Sequence, residues 1–156
     1  MSKSLARVRT ALEAVGLDAE IREMDASTRS AEEAAAAVGC ARDQIVKSIV
    51  FRGEDSGHVR LFLTAGGNRV CPEKAAALAG ESLGRAEAEL VRRETGFAIG
   101  GVAPVGHLQP PACWFDPRLD AFDTVWAAAG TPRHVFAITP AALLRITGAT
   151  RADFVA

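Results

Sequence analysis

Residues 44–64, QIVKSIVFRGEDSGHVRLFLT, constrain the fold more than any other stretch. QIVKSIVF and HVRLFLT read as strands, and GEDSG (53–57) between them supplies the turn chemistry that reverses the chain. An antiparallel pair of this kind needs a sheet around it, and the rest of the chain has to cover the buried face.

Alternation along the first strand puts Ile45, Lys47, Ile49 and Phe51 on one face. Three large apolar residues mark that face as inward, and Lys47 stands among them although lysine is rarely buried unless paired. Two readings follow. Either the ammonium snorkels to a rim with its stem over apolar surface, or it projects into a ligand cavity. The pattern alone weighs them evenly. Ser48 points the other way in a regular strand and reads as filler, because no GxSxG elbow surrounds it.

The remaining periodicities predict what covers the sheet. Leu5, Val8, Leu12 and Val15 recur at helical spacing over 4–15, stopped by Gly16. AEIREM (19–24) alternates as a strand, and Ser30-Ala-Glu-Glu33 is a capping box opening a helix that ends at Gly39. Pro72 opens PEKAAALA, closed by Gly80, and 87–96 forms another helix with Gly96 as its stop. ACWFD (112–116), DTVWAAAG (123–130) and HVFAIT (134–139) read as strands, and Thr139-Pro140 caps a last helix ending near Gly148. Helices near both ends and between strands, with hairpins in the middle, give no regular βαβ alternation. The expectation is one α+β domain over 1–156, built on a mixed, mostly antiparallel sheet flanked by helices.

Composition narrows the partners. A net charge of −1 argues against a broad polyanion-binding surface, while a local basic patch stays compatible with it. No apolar run reaches membrane-span length, and the N-terminus lacks the apolar core of a signal peptide. Cys40, Cys71 and Cys113 are scattered, without a CxxC, as suits buried reduced thiols in a cytoplasmic protein. Three histidines with no HxH or HxxxH pair give no reason to expect a metal or another cofactor.

TGFAIGGVAPVGH (95–107) packs four glycines into thirteen residues. Their spacing fits neither GxGxxG nor a P-loop, so phosphate cradling of either kind is disfavoured. Gly100 and Gly101 permit positive φ and close approach of a ligand to backbone N–H groups, and Pro104 fixes the exit direction. Such a loop can aim amides at an oxyanion. It can equally be a plain bend, and His107 reads as an ordinary surface or core histidine.

Taken in order, QIVKSIVF, TGFAIGGVAPVGH, VWAAAG and TPAALLRITG resemble the YbaK/ProX family, the prolyl-tRNA-editing-like domains that hydrolyse misacylated tRNA. The resemblance covers nearly the whole chain and implies a curved sheet with a cavity between the lysine strand and the glycine loop. It implies hydrolysis of the ester joining an amino acid to the terminal ribose. Lys47 would anchor the substrate, amides around Gly100 and Gly101 would hold the carbonyl or oxyanion, and the tRNA's own hydroxyl would help activate water. Ser48, Met24, Thr28, Ile45, Pro104 and Gly130 are the accompanying substrate-binding candidates, with Met24, Thr28 and Ile45 as pocket walls. Ala103 stands where many relatives carry serine or a second proline, so a hydroxyl contact is lost there. Misacylated tRNA is the implied partner, with a synthetase or elongation factor as a source of added affinity and no DNA expected. Arg42, Arg52, Arg69, Arg92, Arg93 and Arg133 are the cations available to phosphates. A non-catalytic tRNA- or synthetase-binding module of the same fold is the alternative, and hydrolysis of some other small ester is a third reading.

Overall fold

The computed structural model describes residues 2–156. Along the chain it contains α1 (Lys3–Ala14), β1 (Ile21–Glu23), α2 (Ala31–Val38), β2 (Ile45–Gly53), β3 (Val59–Ala65) and α3 (Pro72–Ala79). There follow β4 (Leu83–Arg85), α4 (Ala88–Thr95), β5 (Ala112–Phe115), β6 (Val125–Ala128), β7 (His134–Ile138), α5 (Pro140–Thr147) and β8 (Thr150–Arg151). Short 3-10 turns at Arg42–Gln44 and Pro117–Ala121 lead into β2 and follow β5.

The capping signals act as their chemistry dictates. The Ser30 hydroxyl accepts the Glu33 N–H at 3.1 Å, and Thr139 accepts the Ala142 N–H at 3.2 Å. Gly39, Gly80, Gly96 and Gly148 end their helices in the left-handed conformation. Strand ends are shorter than alternation suggested. β6 ends at Ala128, one residue beyond which the Ala129 N–H still bonds the His134 carbonyl of β7 at 2.9 Å.

All eight strands join one mixed sheet in the order β1-β7-β6-β2-β3-β5-β8, with β4 on β2. The pairings β1–β7, β2–β3, β2–β4 and β6–β7 are antiparallel, and β2–β6, β3–β5 and β5–β8 are parallel. Antiparallel pairing therefore holds only a narrow majority, and the chain is a single α+β domain. β4 and β8, three and two residues long, are too short to show an alternation in sequence.

The two faces of the sheet are covered differently. On one, Leu61 and Leu63 pack with Leu5, Val8 and Leu12 of α1, Val91 of α4 and Leu143 of α5 in one continuous core. On the other, apolar packing divides in two. Met24, Ile45 and Trp126 pack under α2, while Phe62, Phe154 and Ala75 of α3 form a separate cluster that Ile49 and Phe51 join. Each fully buried side chain of this size contributes about 1.5–3 kcal/mol. Lys47 shares a face with Ile45 and Ile49 and so stands where the two clusters part.

Candidate active site

At that parting lies a cavity of about 580 Å³, lined by β2, α2 and the segment before it, the glycine loop, and the β6–β7 turn. Its volume is in the range of small-ligand sites. Part of its wall is unpaired strand edge. The Asp116 N–H donates to the Leu63 carbonyl at 2.9 Å, so odd-numbered residues of β3 turn their backbone groups toward β5. Even-numbered ones face β2, where Thr64 and Phe62 lie opposite Lys47 and Ile49. Ser48 and Val50 therefore turn their N–H and C=O to the other edge. There β6 pairs only with Ile45 and Val46, and β4 only with residues from Phe51 onward. A notch remains, and both Ser48 and Val50 line the cavity at it.

Lys47 lines the same cavity and donates to the Asn68 main-chain carbonyl. Burial pushes its pKa below the ordinary lysine value, and repulsion from Arg69 and Arg42 adds to that, while Asp116 and Asp43 act in the opposite sense. The Asn68 turn is tightly packed. A Cβ on Gly66 would meet the Arg42 carbonyl at 2.0 Å, so only glycine fits. The Arg118 guanidinium and the Gly67 N–H hold the Asp43 carboxyl below its ordinary range, against desolvation.

The glycine loop forms the facing wall, and its glycines do different things. Gly100 lines the cavity with φ +95°, and its N–H has no protein partner among the described residues. Gly101 does not line it, and its N–H is bonded to Ala98 O at 3.0 Å. A Cβ on Gly101 would come within 2.9 Å of the Thr131 Cα, so this glycine lets the loop lie against the β6–β7 turn. Ile99, 53% exposed, forms the lip.

From behind, Arg7 of α1 grips both ends of this loop. Its Nη2 donates to Gly96 O at 2.7 Å and its Nε to Gly106 O at 2.9 Å, with the guanidinium 4.7 Å from the Phe97 ring centroid. His107 closes the loop on itself, its Nε2 against Ala103 O at 2.7 Å. Burial pushes the His107 pKa down.

Met24, Thr28 and Ile45 line the cavity. Ser48 also lines it, but its Oγ is buried without a hydrogen-bond partner among the described residues, on the face that packs against α1 and its neighbours. Pro104 and Gly130 are elsewhere. Pro104 lines a separate cavity of about 190 Å³ behind the loop, with Leu61 and Cys113. Gly130, φ +97°, packs its backbone against Ser4 O, which a Cβ would approach to 2.8 Å.

Sequence reasoning missed Arg29, Trp126, Thr131 and His134 in the lining. The Thr131 hydroxyl accepts the Arg133 N–H at 3.1 Å and sits 2.7 Å from Nδ1 of His134. The TPRH turn after VWAAAG was the available signal. Of the arginines available to phosphates, Arg42 and Arg69 act electrostatically on Lys47, Arg133 is bonded to Asp25 O, and Arg52 pairs with Glu54. Arg92 and Arg93 sit on α4.

The three cysteines are free, as the reduced thiols expected would be, and each is partly buried, Cys40 and Cys113 against the apolar clusters. Burial raises the Cys113 pKa to about 12 and raises that of Cys40, so neither is a thiolate at neutral pH. Among the described residues no three His, Cys, Asp or Glu side chains cluster to hold a metal, and no helix is long and apolar enough to cross a membrane.

Residues 25–146 match the family profile of the aminoacyl-tRNA editing domain. The uncharacterized protein YwhH of Bacillus subtilis (strain 168) is 31% identical over 137 residues, covering 88% of this chain and 87% of its own. A crystal structure described as a candidate trans-editing enzyme for prolyl-tRNA synthetase superposes with a TM-score of 0.93 at 50% identity, over 100% of this chain and 99% of the other. The hypothetical protein APE2540 superposes with a TM-score of 0.87 at 29% identity, over 96% and 99% of the two chains.

Proposed function

The chain belongs to the aminoacyl-tRNA editing domain family, and from that premise we propose that it is a free-standing deacylase acting in trans on misacylated tRNA. The observation that carries this reading is the shared cavity. Lys47 and Gly100, on different elements, both line it beside the open edge of β2. The substrate end is anionic at its phosphates and becomes anionic at the carbonyl oxygen during attack. A partly desolvated cation and a backbone N–H are suited to those two charges.

The cavity's side chains also fit a reaction without a protein nucleophile. The Ser48 Oγ is buried without a hydrogen-bond partner among the described residues, and the Cys40 and Cys113 thiols are protonated at neutral pH. An ester with a ribose hydroxyl beside it needs positioning and charge stabilisation more than an added base. Water is then the nucleophile, with the vicinal hydroxyl assisting, and Gly100 N–H meets the developing oxyanion. Met24, Ile45 and Trp126 limit the size of the amino acid that enters. Size alone discriminates by roughly 1–3 kcal/mol per methylene, so small amino acids on tRNAPro are the favoured substrates. Gly101, Pro104 and Gly130 act by shaping the loop and the turn beneath it, and Arg29, which lines the cavity, and Arg69, whose charge acts on Lys47, are the phosphate partners.

The test is deacylation of tRNAPro carrying alanine, 2-aminobutyrate, serine or cysteine, with correctly charged tRNA as control. Release from at least one mischarged species, abolished in Lys47→Ala, is the expected result. Tight tRNA binding with every ester intact under enzyme excess replaces the hydrolase with a binding module. Ester hydrolysis that uncharged tRNA does not inhibit points instead to a small-molecule esterase.

A further inference from the structure

Asp116, at the end of β5, is 2% exposed and makes no salt bridge among the described residues. Its carboxylate is filled by three neutral donors. Oδ2 accepts the Ala65 N–H at 3.0 Å and the Asn68 side-chain amide at 2.9 Å, and Oδ1 accepts the Arg118 N–H at 2.9 Å. Only a group that accepts at both ends satisfies this set, which an asparagine does not. The bonds fasten the Ala65–Asn68 turn, itself closed by Asn68 N–H to Ala65 O at 2.9 Å. The carbonyl of that turn's last residue receives the Lys47 ammonium.

We propose that Asp116 is a positioning residue for Lys47, holding the ammonium in place through Asn68 and supplying the buried negative charge that balances it. The proposal rests on Lys47 being the cation of the deacylase site. Four charged groups face that ammonium: Arg69 and Arg42 repel it, Asp116 and Asp43 attract it. Asp43 is tied to the Arg118 guanidinium at 3.0 Å, so part of its charge is already answered. Asp116 carries no cation of its own and is the less divided counter-charge. Lys47 keeps its other N–H donors free of protein partners among the described residues, and these remain for the substrate.

The chain has three lysines, Lys3, Lys47 and Lys74, so reductive ¹³C-methylation followed by NMR titration reads Lys47 directly, without tRNA. In Asp116→Asn the Lys47 resonance is expected to titrate at lower pH than in the wild type, and in Arg69→Gln at higher pH. The alkaline limb of deacylation shifts in the same directions, and kcat/KM of Asp116→Asn falls on the order of tenfold. Asn68→Ala keeps both the carboxylate and the main-chain carbonyl and covers the case in which Asp116→Asn does not fold. It is expected to sharpen the Lys47 methyl signals through added mobility and to lower kcat/KM severalfold. An unmoved Lys47 midpoint in folded Asp116→Asn overturns the proposal, as does Asn68→Ala with a wild-type spectrum and rate. A wild-type protein that deacylates nothing, while Lys47 still responds to Asp116, removes the proposed function and leaves the positioning role standing.

Discussion

The two walls of the cavity are built on opposite principles. The β2 wall presents a charged side chain, Lys47, whose place is set by a buried carboxylate and a hydrogen-bonded turn. The glycine-loop wall presents backbone, and its place is set from behind by Arg7 of α1 and by close contact with Thr131. A charge on a flexible stem needs electrostatic bracing to stay put. An amide needs only that its loop cannot shift, so on this wall fit matters more than charge.

Substitutions can break or sharpen this contrast. The largest effect is expected from Lys47→Ala, with kcat/KM for a mischarged tRNA lower on the order of 1000-fold and the melting temperature nearly unchanged. A rate within tenfold of wild type would show the charged wall to be incidental. On the other wall, Gly101→Ala forces its Cβ onto the Thr131 backbone. It should cost on the order of 100-fold in rate together with about 2 kcal/mol of stability by denaturant unfolding. Gly100→Ala meets nothing within 4 Å but places a side chain at φ +95°, so about 1–2 kcal/mol is expected. If the two glycines behave alike, backbone contact is not what sets the loop.

Arg7→Ala removes two charge-assisted hydrogen bonds and is expected to cost about 2–3 kcal/mol and to speed amide exchange across 96–106. Arg7→Lys should restore only part of this, lacking the fork that reaches both carbonyls. A pH dependence follows from His107, whose folded pKa lies below the ordinary 6.5 through burial. The unfolded chain takes up a proton there that the folded one refuses. Stability is therefore full above the ordinary value of 6.5 and declines as pH falls from there toward the lower folded value. Thermal melts between pH 7.5 and 5 on His107→Gln should show a shallower decline than wild type. The smallest effect belongs to Arg118→Ala, whose half-exposed pair with Asp43 contributes at most about 1 kcal/mol.

How much of this was legible in the sequence follows the same division. Lys47 was visible because period-two alternation puts it among Ile45, Ile49 and Phe51, and the loop was visible through its glycines. The supports were not. Asp116 looks like the polar end of ACWFD, and its burial depends on a turn about fifty residues earlier in the chain. Arg7 looks like one more surface charge on an amphipathic helix, yet it reaches carbonyls 89 and 99 residues away. The division of Gly100 from Gly101 was hidden too, since only the placement of Thr131 separates a lining amide from a contact glycine.

The gap along β2 has a consequence for the protein's solubility. Unsatisfied strand edge ordinarily recruits a strand from another molecule, the first step of edge-to-edge aggregation. Here β6 closes one end of the gap and β4 the other, leaving the polar groups of two residues, Ser48 and Val50. A further strand has no length along which to pair, whereas a group the size of one amino acid does. β4, only three residues long, thus keeps an open edge inside the sheet from becoming an invitation to self-association.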